Sequence, residues 1–175
     1  TDPVGLLLSH RADWAIVSEV EQNDDVLFKP LFSYEMVGIC SKDHPLANKE
    51  VWQAEDFAEE TWVTYPVPDD MLDLYRQVLK PKGINPPRRT TELTIALIQL
   101  VASRRGIATV PYWAALPYLE KGYVVARKIT EEGLYSNLYA AIRKEDANLA
   151  YIEDFHQTVK AQSFSTLPGL SVLEL

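Results

Sequence analysis

Three sets of side chains in this sequence have types and spacings that could carry out a reaction. Asp69, Asp70 and Asp73 stand close enough to act as paired carboxylates, the arrangement used in general acid–base catalysis. They also stand where a helix is expected to begin, and a carboxylate there caps free amide groups. Capping is the stronger reading. The three histidines, His10, His44 and His156, are far apart and lack the spacing of metal ligands, so no metal site is expected. His44, followed by Pro45, reads as a turn residue. Cys40, the one cysteine, falls in a strand-like segment and reads as an inert core thiol. The 7 glycines are scattered singly, which leaves no phosphate-cradling loop, and there is no G-x-S-x-G nucleophile elbow. The expectation is a protein without catalytic residues, metal or cofactor.

Composition narrows the field further. The 175 residues include 17 Lys and Arg against 25 Asp and Glu, a net charge of −8. So acidic a chain does not offer the cationic stripe that neutralises DNA phosphates, and an anionic membrane surface would repel it. Hydrophobic residues at 47% and charged residues at 24% are ordinary globular composition, with enough apolar volume for a real core. A single cysteine excludes an internal disulfide and fits a reducing compartment. No apolar run reaches the length needed to span a bilayer, and no secretory signal is visible at the start.

Several elements must position any site. Leu6 to Arg11 reads as a helix end and turn, followed by a strand at Trp14–Val17 that is apolar on both faces. Such a strand is expected inside a parallel sheet, which calls for an earlier strand, so part of the fold is expected to precede Thr1. Leu27–Ser41 is strand-like, with Pro30 at an edge or bend. A short helix is expected at Gln53–Phe57 and a strand at Thr61–Tyr65, ending at Pro66-Val67-Pro68. Met71, Leu72, Tyr75, Val78 and Leu79 recur at helical spacing until Pro81 and Gly83. The strongest helix is Leu93–Arg105. It has one apolar stripe at Leu93, Leu97, Leu100 and Val101 and a second at Ile95, Ile98 and Ala102, with Gly106 as its left-handed cap. Strands at Ile107–Val110, Tyr123–Arg127 and Leu134–Arg143 alternate with helices at Tyr112–Lys121 and around Ile152, Phe155 and Val159. The pattern predicts an α/β fold with parallel sheets flanked by helices, in two lobes hinged near Tyr65 and Gly133. Residues 1–64 and 134–165 would form lobe I, 65–133 lobe II, and 166–175 a tail without clear periodicity.

In open α/β sheets, ligands bind beyond the carboxyl ends of the strands. That rule points to Val17-Ser18-Glu19, to Tyr65-Pro66-Val67, to Thr91-Glu92-Leu93, and to Val110.

The ordered combination of Asp13-Trp14-Ala15-Ile16, Pro30 to Glu35, Asp43 to Ala47 and Leu100-Val101-Ala102 with Gly106 to Pro111 resembles the effector-binding domain of LysR-type transcriptional regulators over about residues 2–165. Glu132 to Ser136 with Leu138 to Arg143, together with Pro111-Tyr112-Trp113, resembles the branch of that family controlling methionine biosynthesis. The resemblance implies a two-lobed, periplasmic-binding-protein-like (type 2) fold in a cytoplasmic bacterial transcription factor. It also implies a homodimer or homotetramer that contacts DNA only through a winged helix-turn-helix outside this chain, with homocysteine as small-molecule effector in the interlobe cleft. For an amino-acid effector, Ser18, Thr91 and the crossover backbone would meet the carboxylate. Glu19 or Glu92 would meet the ammonium. Val67, Leu93 and Val110 would form a small apolar wall. The rival readings are a transporter's solute-binding protein, which shares the fold, and a small-acid lyase using Glu19 with Glu92 as acid–base pair.

Overall fold

The computed structural model describes residues 2–174. The first half of the chain forms helix α1 (Pro3–Leu8), strands β1 (Ala15–Val17), β2 (Val26–Cys40), β3 (Val51–Trp52), β4 (Trp62–Thr64) and β5 (Arg88–Thr90), and helix α2 (Thr94–Ala102). The second half continues with β6 (Ile107–Pro111), α3 (Tyr112–Glu120), β7 (Val125–Ile129), β8 (Leu134–Arg143), α4 (Ala150–Thr166) and β9 (Leu170–Ser171). Helices and strands alternate as an α/β fold requires, and the chain divides into two compact units, Thr1–Tyr34 with Ser136–Leu175, and Glu35–Tyr135. The first switch falls inside β2, some thirty residues before the expected hinge at Tyr65, and the second falls inside β8, just after Gly133. Tyr65 lies within the second unit. Pro66 and Pro68 stiffen a loop inside that unit, while two long strands carry the chain between units.

In the first unit, β1 pairs antiparallel with β8 (Ile16 opposite Ala140), β8 neighbours β2, and β9 pairs antiparallel with β2 through Ser33 and Tyr34. This corrects two expectations. The strand at Trp14–Val17 lies at a sheet end and not inside a parallel sheet, and its Ile16 is 49% exposed. The residues after Ser165 complete α4 and add a strand. Val4, Leu7, Val26, Phe28 and Ala141 form this unit's core. Asp2 caps α1 by accepting from the Gly5 amide at 2.9 Å, with Pro3 at the first helical position, where its missing N–H costs nothing.

The second unit holds a mixed sheet, not the wholly parallel one expected. The end of β2 pairs antiparallel with β6 and β7, whereas β4 is parallel to both β5 and β6, and β3 is parallel to β7. One core packs Trp52, Phe57, Trp62, Leu74 and Ile107 together; another packs Leu97, Ile98 and Val101 of α2 on Val63, Ala108 and Val110. The two-stripe expectation for α2 is thus half met, because Leu93 and Ile95 at its start are exposed. Its left-handed terminator is Arg104 (φ 59°) and not Gly106. Gly106 serves close approach instead: a Cβ there would lie 2.3 Å from the Thr61 carbonyl oxygen, which accepts from the Ile107 amide.

The segment expected as one amphipathic helix is a 3-10 turn at Asp69–Met71, a π-helical turn at Tyr75–Leu79 and a 3-10 turn at Lys80–Lys82, closed by Gly83 at φ 67°. No side chain caps the first of these turns, and all three aspartates meet cations. Asp69 pairs with Arg88, Asp70 with Lys80 at 2.8 Å, and Asp73 with Arg76 at 2.6 Å. Basic groups brought from along the chain outcompete the local amides, because a charge-assisted bond is about twice as strong as a neutral one.

Candidate functional site

The site is built where β4, β5 and β6 end. Because β4 is parallel to both neighbours, all three deliver their carboxyl ends to one edge of the sheet, and the next residues are Tyr65, Thr91 and Tyr112. The Thr91 amide donates to the Thr64 carbonyl at 3.0 Å, extending the β4–β5 ladder by one step. The Val67 amide donates to the Tyr65 carbonyl at 2.9 Å, a three-residue turn that swings the crossover away from the sheet. From this position the Tyr65 hydroxyl reaches Thr94 Oγ1 at 2.7 Å, tying the crossover to the first residue of α2. No side chain caps α2, whose N-cap is Leu93, so its opening amides are free to meet an anionic group.

The structure therefore brings Tyr65, Pro66, Val67, Thr91, Glu92 and Leu93 to one edge of the second unit. Glu92 and Leu93 are exposed, as an ammonium partner and an apolar wall at a rim require. Val110 departs from the expected set: it is 0% exposed and belongs to the core beneath α2. Side chains alternate along a strand, so it is the preceding residue, Thr109, that opens to the other face. Thr109 helps line a cavity of about 110 Å³ with Met36, Trp62, Thr64, Leu72 and Leu74. Thr64 and Thr109 were not among the expected residues, although a threonine within the apolar run Ile107-Ala108-Thr109-Val110 is a readable signal. In the first unit, Val17 ends β1 half-buried against that unit's apolar core, and Ser18 and Glu19 follow it exposed.

The groups considered for catalysis have other tasks. Each aspartate of the Asp69–Asp73 cluster has its own cation, and the hydrogen bond from Lys80 holds Asp70 below the usual carboxylate range. The Arg88 guanidinium, besides meeting Asp69, lies 5.0 Å from the Trp62 ring centroid and 5.1 Å from that of Tyr75. His44 accepts from the Leu46 amide through Nδ1 and donates from Nε2 to Glu60 at 3.1 Å, a turn role. Burial pushes the Cys40 thiol up to about 11, against the pull of the Arg127 charge, and a thiol held protonated is a poor nucleophile. Among the described residues no three His, Cys, Asp or Glu side chains gather as metal ligands.

The family model of the LysR substrate binding domain matches residues 1–163. The chain belongs to the LysR family. This LysR domain is 85% identical over all 175 residues to the HTH-type transcriptional regulator MetR of Haemophilus influenzae, covering 57% of that protein. It is 35% identical over 173 residues to MetR of Escherichia coli K12, covering 99% of the domain and 54% of that protein. The domain therefore spans a little over half the length of the curated relatives it matches. Among solved structures, the regulatory domain of the N. meningitidis MetR aligns with a TM-score of 0.92 and 66% identity over 99% of this chain and 81% of that one. The effector-binding domain of QuiR, in complex with shikimate, aligns with a TM-score of 0.74 and 23% identity over 91% of this chain and 77% of that one, a likeness of fold. These comparisons establish the two-lobed, periplasmic-binding-protein-like architecture. The relatives are transcriptional regulators, not enzymes. Among the described residues no helix is long and apolar enough to cross a membrane.

Proposed function

We propose that this LysR domain is the effector-sensing part of a cytoplasmic transcriptional regulator of methionine-biosynthesis genes. The observation that carries the proposal is 85% identity, without a gap in coverage, to a protein named MetR. In this reading the whole protein is a homodimer or homotetramer, contacts DNA through an N-terminal winged helix-turn-helix, and takes homocysteine as co-regulator. An acidic sensing domain suits that division of labour, because the phosphate contacts belong to another part of the protein.

The edge formed by Tyr65, Thr91 and the start of α2 has the chemistry to receive an α-amino acid. Its carboxylate meets the uncapped amides of α2 and the Tyr65–Thr94 hydroxyl pair. Its ammonium is met by Glu92. Val67 and Leu93 cover the stem. Ser18 and Glu19 are proposed as further contacts, to be tested separately. Binding alters transcription only to the extent that the effector prefers one conformation of the regulator over another.

Calorimetric titration of the chain with homocysteine is the direct test. We expect saturable heat, and an affinity at least about tenfold weaker in Thr94→Val, equivalent to about 1.4 kcal/mol. A flat titration would remove homocysteine as the effector. Saturable heat undisturbed by Thr94→Val and Tyr65→Phe would move the site elsewhere.

A further inference from the structure

We infer that a short, unbranched side chain ending in an uncharged hydrogen-bonding atom enters the cavity beneath the Asp69–Leu74 segment, where Thr64 and Thr109 receive it. The inference rests on reading this domain as an amino-acid sensor and adds which end of the ligand goes where. Every residue involved lies within the second unit.

The first ground is unused hydrogen-bonding capacity. Thr64 is 4% exposed and Thr109 8%, and among the described residues neither hydroxyl has a hydrogen-bond partner. These hydroxyls open onto the cavity, and Trp62 Nε1 in the same lining is buried outright without a partner, which costs on the order of 1–3 kcal/mol. Natural cores remove such groups unless they serve another purpose. A valine at either position would have the same shape and would offer the cavity no polar atom. These two threonines come from adjacent parallel strands and line the same cavity. Two spare hydroxyls around one cavity mark a place where something else supplies the partner.

The second ground is charge. The acids of the covering segment are spent one for one, Asp69 on Arg88, Asp70 on Lys80, Asp73 on Arg76. Asp73 is itself part of the cavity lining, so a carboxylate entering there would meet a like charge with no free cation to offset it. The occupant is therefore uncharged. The third ground is size and lining. A cavity of about 150 Å³ accommodates benzene, so about 110 Å³ accepts about four heavy atoms and excludes an aromatic ring. Met36, Leu72 and Leu74 give it apolar walls for a methylene stem.

The test uses two probes on the 175-residue chain and on Thr64→Val and Thr109→Val. The first is homocysteine compared by calorimetry with 2-aminobutanoate, which is homocysteine without its sulfur. We expect each substitution to weaken homocysteine about 5- to 20-fold and to leave 2-aminobutanoate unchanged. The second is dimethyl sulfoxide, four heavy atoms with a strong uncharged acceptor, followed through the indole N–H resonance of Trp62, assigned with Trp62→Phe. We expect that resonance to shift in the unsubstituted chain and to stay still in Thr109→Val. Both valine variants should keep or slightly raise the urea midpoint, which excludes misfolding as the cause. The inference stands if either probe shows the threonine dependence and falls if neither does. A chain that gives no heat with homocysteine, yet a Thr109-dependent shift with dimethyl sulfoxide, removes the homocysteine reading and keeps the cavity. Homocysteine binding that ignores both threonines, with no shift from dimethyl sulfoxide, does the reverse.

Discussion

Each unit buries polar side chains, and the two use them differently. In the first, Arg143 at the end of β8 is 6% exposed, and its guanidinium bonds four acceptors: the Leu7 carbonyl at 2.9 Å, the Ala12 carbonyl at 2.5 Å, Asp13 Oδ1 at 2.6 Å and Asp146 Oδ2 at 2.5 Å. It ties the turn after α1 to the end of β8, and the five donors of a guanidinium suit that many-sided task. In the second, Thr64 and Thr109 are buried to a similar degree with their hydroxyls unspent. A buried polar group that is fully bonded holds the fold together; one that is left over is available to a ligand. If that contrast is right, removing the first kind should cost stability and removing the second should not.

The largest effect is expected at Arg143. Arg143→Met leaves the buried Leu7 carbonyl, the Ala12 carbonyl and half-buried Asp146 without their donor, while exposed Asp13 turns to water, and it should lower unfolding free energy by about 2–4 kcal/mol. Equilibrium urea denaturation reads this directly. A loss below about 1 kcal/mol would show that water replaces the guanidinium at little cost, and the contrast between units would fail.

Next is Gly106→Ala in the second unit. The new Cβ would sit 2.3 Å from the Thr61 carbonyl oxygen at a backbone φ of 153°, so β6 must move from the chain entering β4. A cost of about 2–3 kcal/mol is expected from such a strained site. Because β4 and β6 carry Thr64 and Thr109, the same substitution should also weaken effector binding. Arg143→Met tests stability in the unit that lacks those threonines. A Gly106→Ala variant that loses stability but binds normally would separate the cavity from the ligand.

The order of strands and helices was largely readable from hydrophobic period, because buried runs such as Ile107–Val110 and Leu134–Arg143 leave little choice. Strand direction was not. Trp14–Val17 looks like an interior parallel strand because apolar residue types do not reveal which neighbour covers them, and it is an antiparallel end strand. The aspartates at 69, 70 and 73 carry a capping signal that is real locally and is overridden by Arg88, Lys80 and Arg76. The unit boundary was misplaced for a similar reason. Prolines around Val67 announce a stiff loop, whereas nothing in the composition of β2 marks the point at Tyr34 where one unit gives way to the other. At the site, the rule of carboxyl ends names Tyr65, Thr91 and their neighbours, which the second unit gathers at one sheet edge. It placed Val110 one residue away from the side chain that opens to the cavity, since the rule names strand ends and the pleat decides the face.

A smaller effect concerns acid. His156 of α4 is 4% exposed and its Nδ1 has no partner. Burial lowers its pKa below the usual 6.5, aided by the charge of Lys29. Its neutral form is thus favoured in the folded state, and the unfolded chain binds the extra proton first. The stability this gives is fully present above about pH 6.5 and declines as pH falls through the lowered value. The thermal midpoint should therefore drop between about pH 7 and pH 5, and His156→Gln should flatten that slope. His156 marks where the contrast stops: it is a buried polar group of the first unit that lacks a full set of bonds, and its cost appears as acid sensitivity.

The smallest stability effect, and the most informative for function, is expected at Tyr65. Its hydroxyl bonds Thr94 at 2.7 Å on an exposed edge, so Tyr65→Phe leaves Thr94 able to bond water, and the loss should be at or below about 0.5–1 kcal/mol. A side chain serving only as a strut would show that modest loss and nothing more. If the hydroxyl pair instead receives an effector carboxylate, Tyr65→Phe should weaken homocysteine about tenfold with the urea midpoint almost unmoved. Arg143→Met should show the opposite split, a large loss of stability with affinity retained wherever the domain is folded. The two substitutions thus read the same contrast from its two ends. A Tyr65→Phe variant that loses stability as Arg143→Met does, with no change in affinity, would return this edge to the fold and leave the cavity lined by Thr64 and Thr109 as the place to look for the effector.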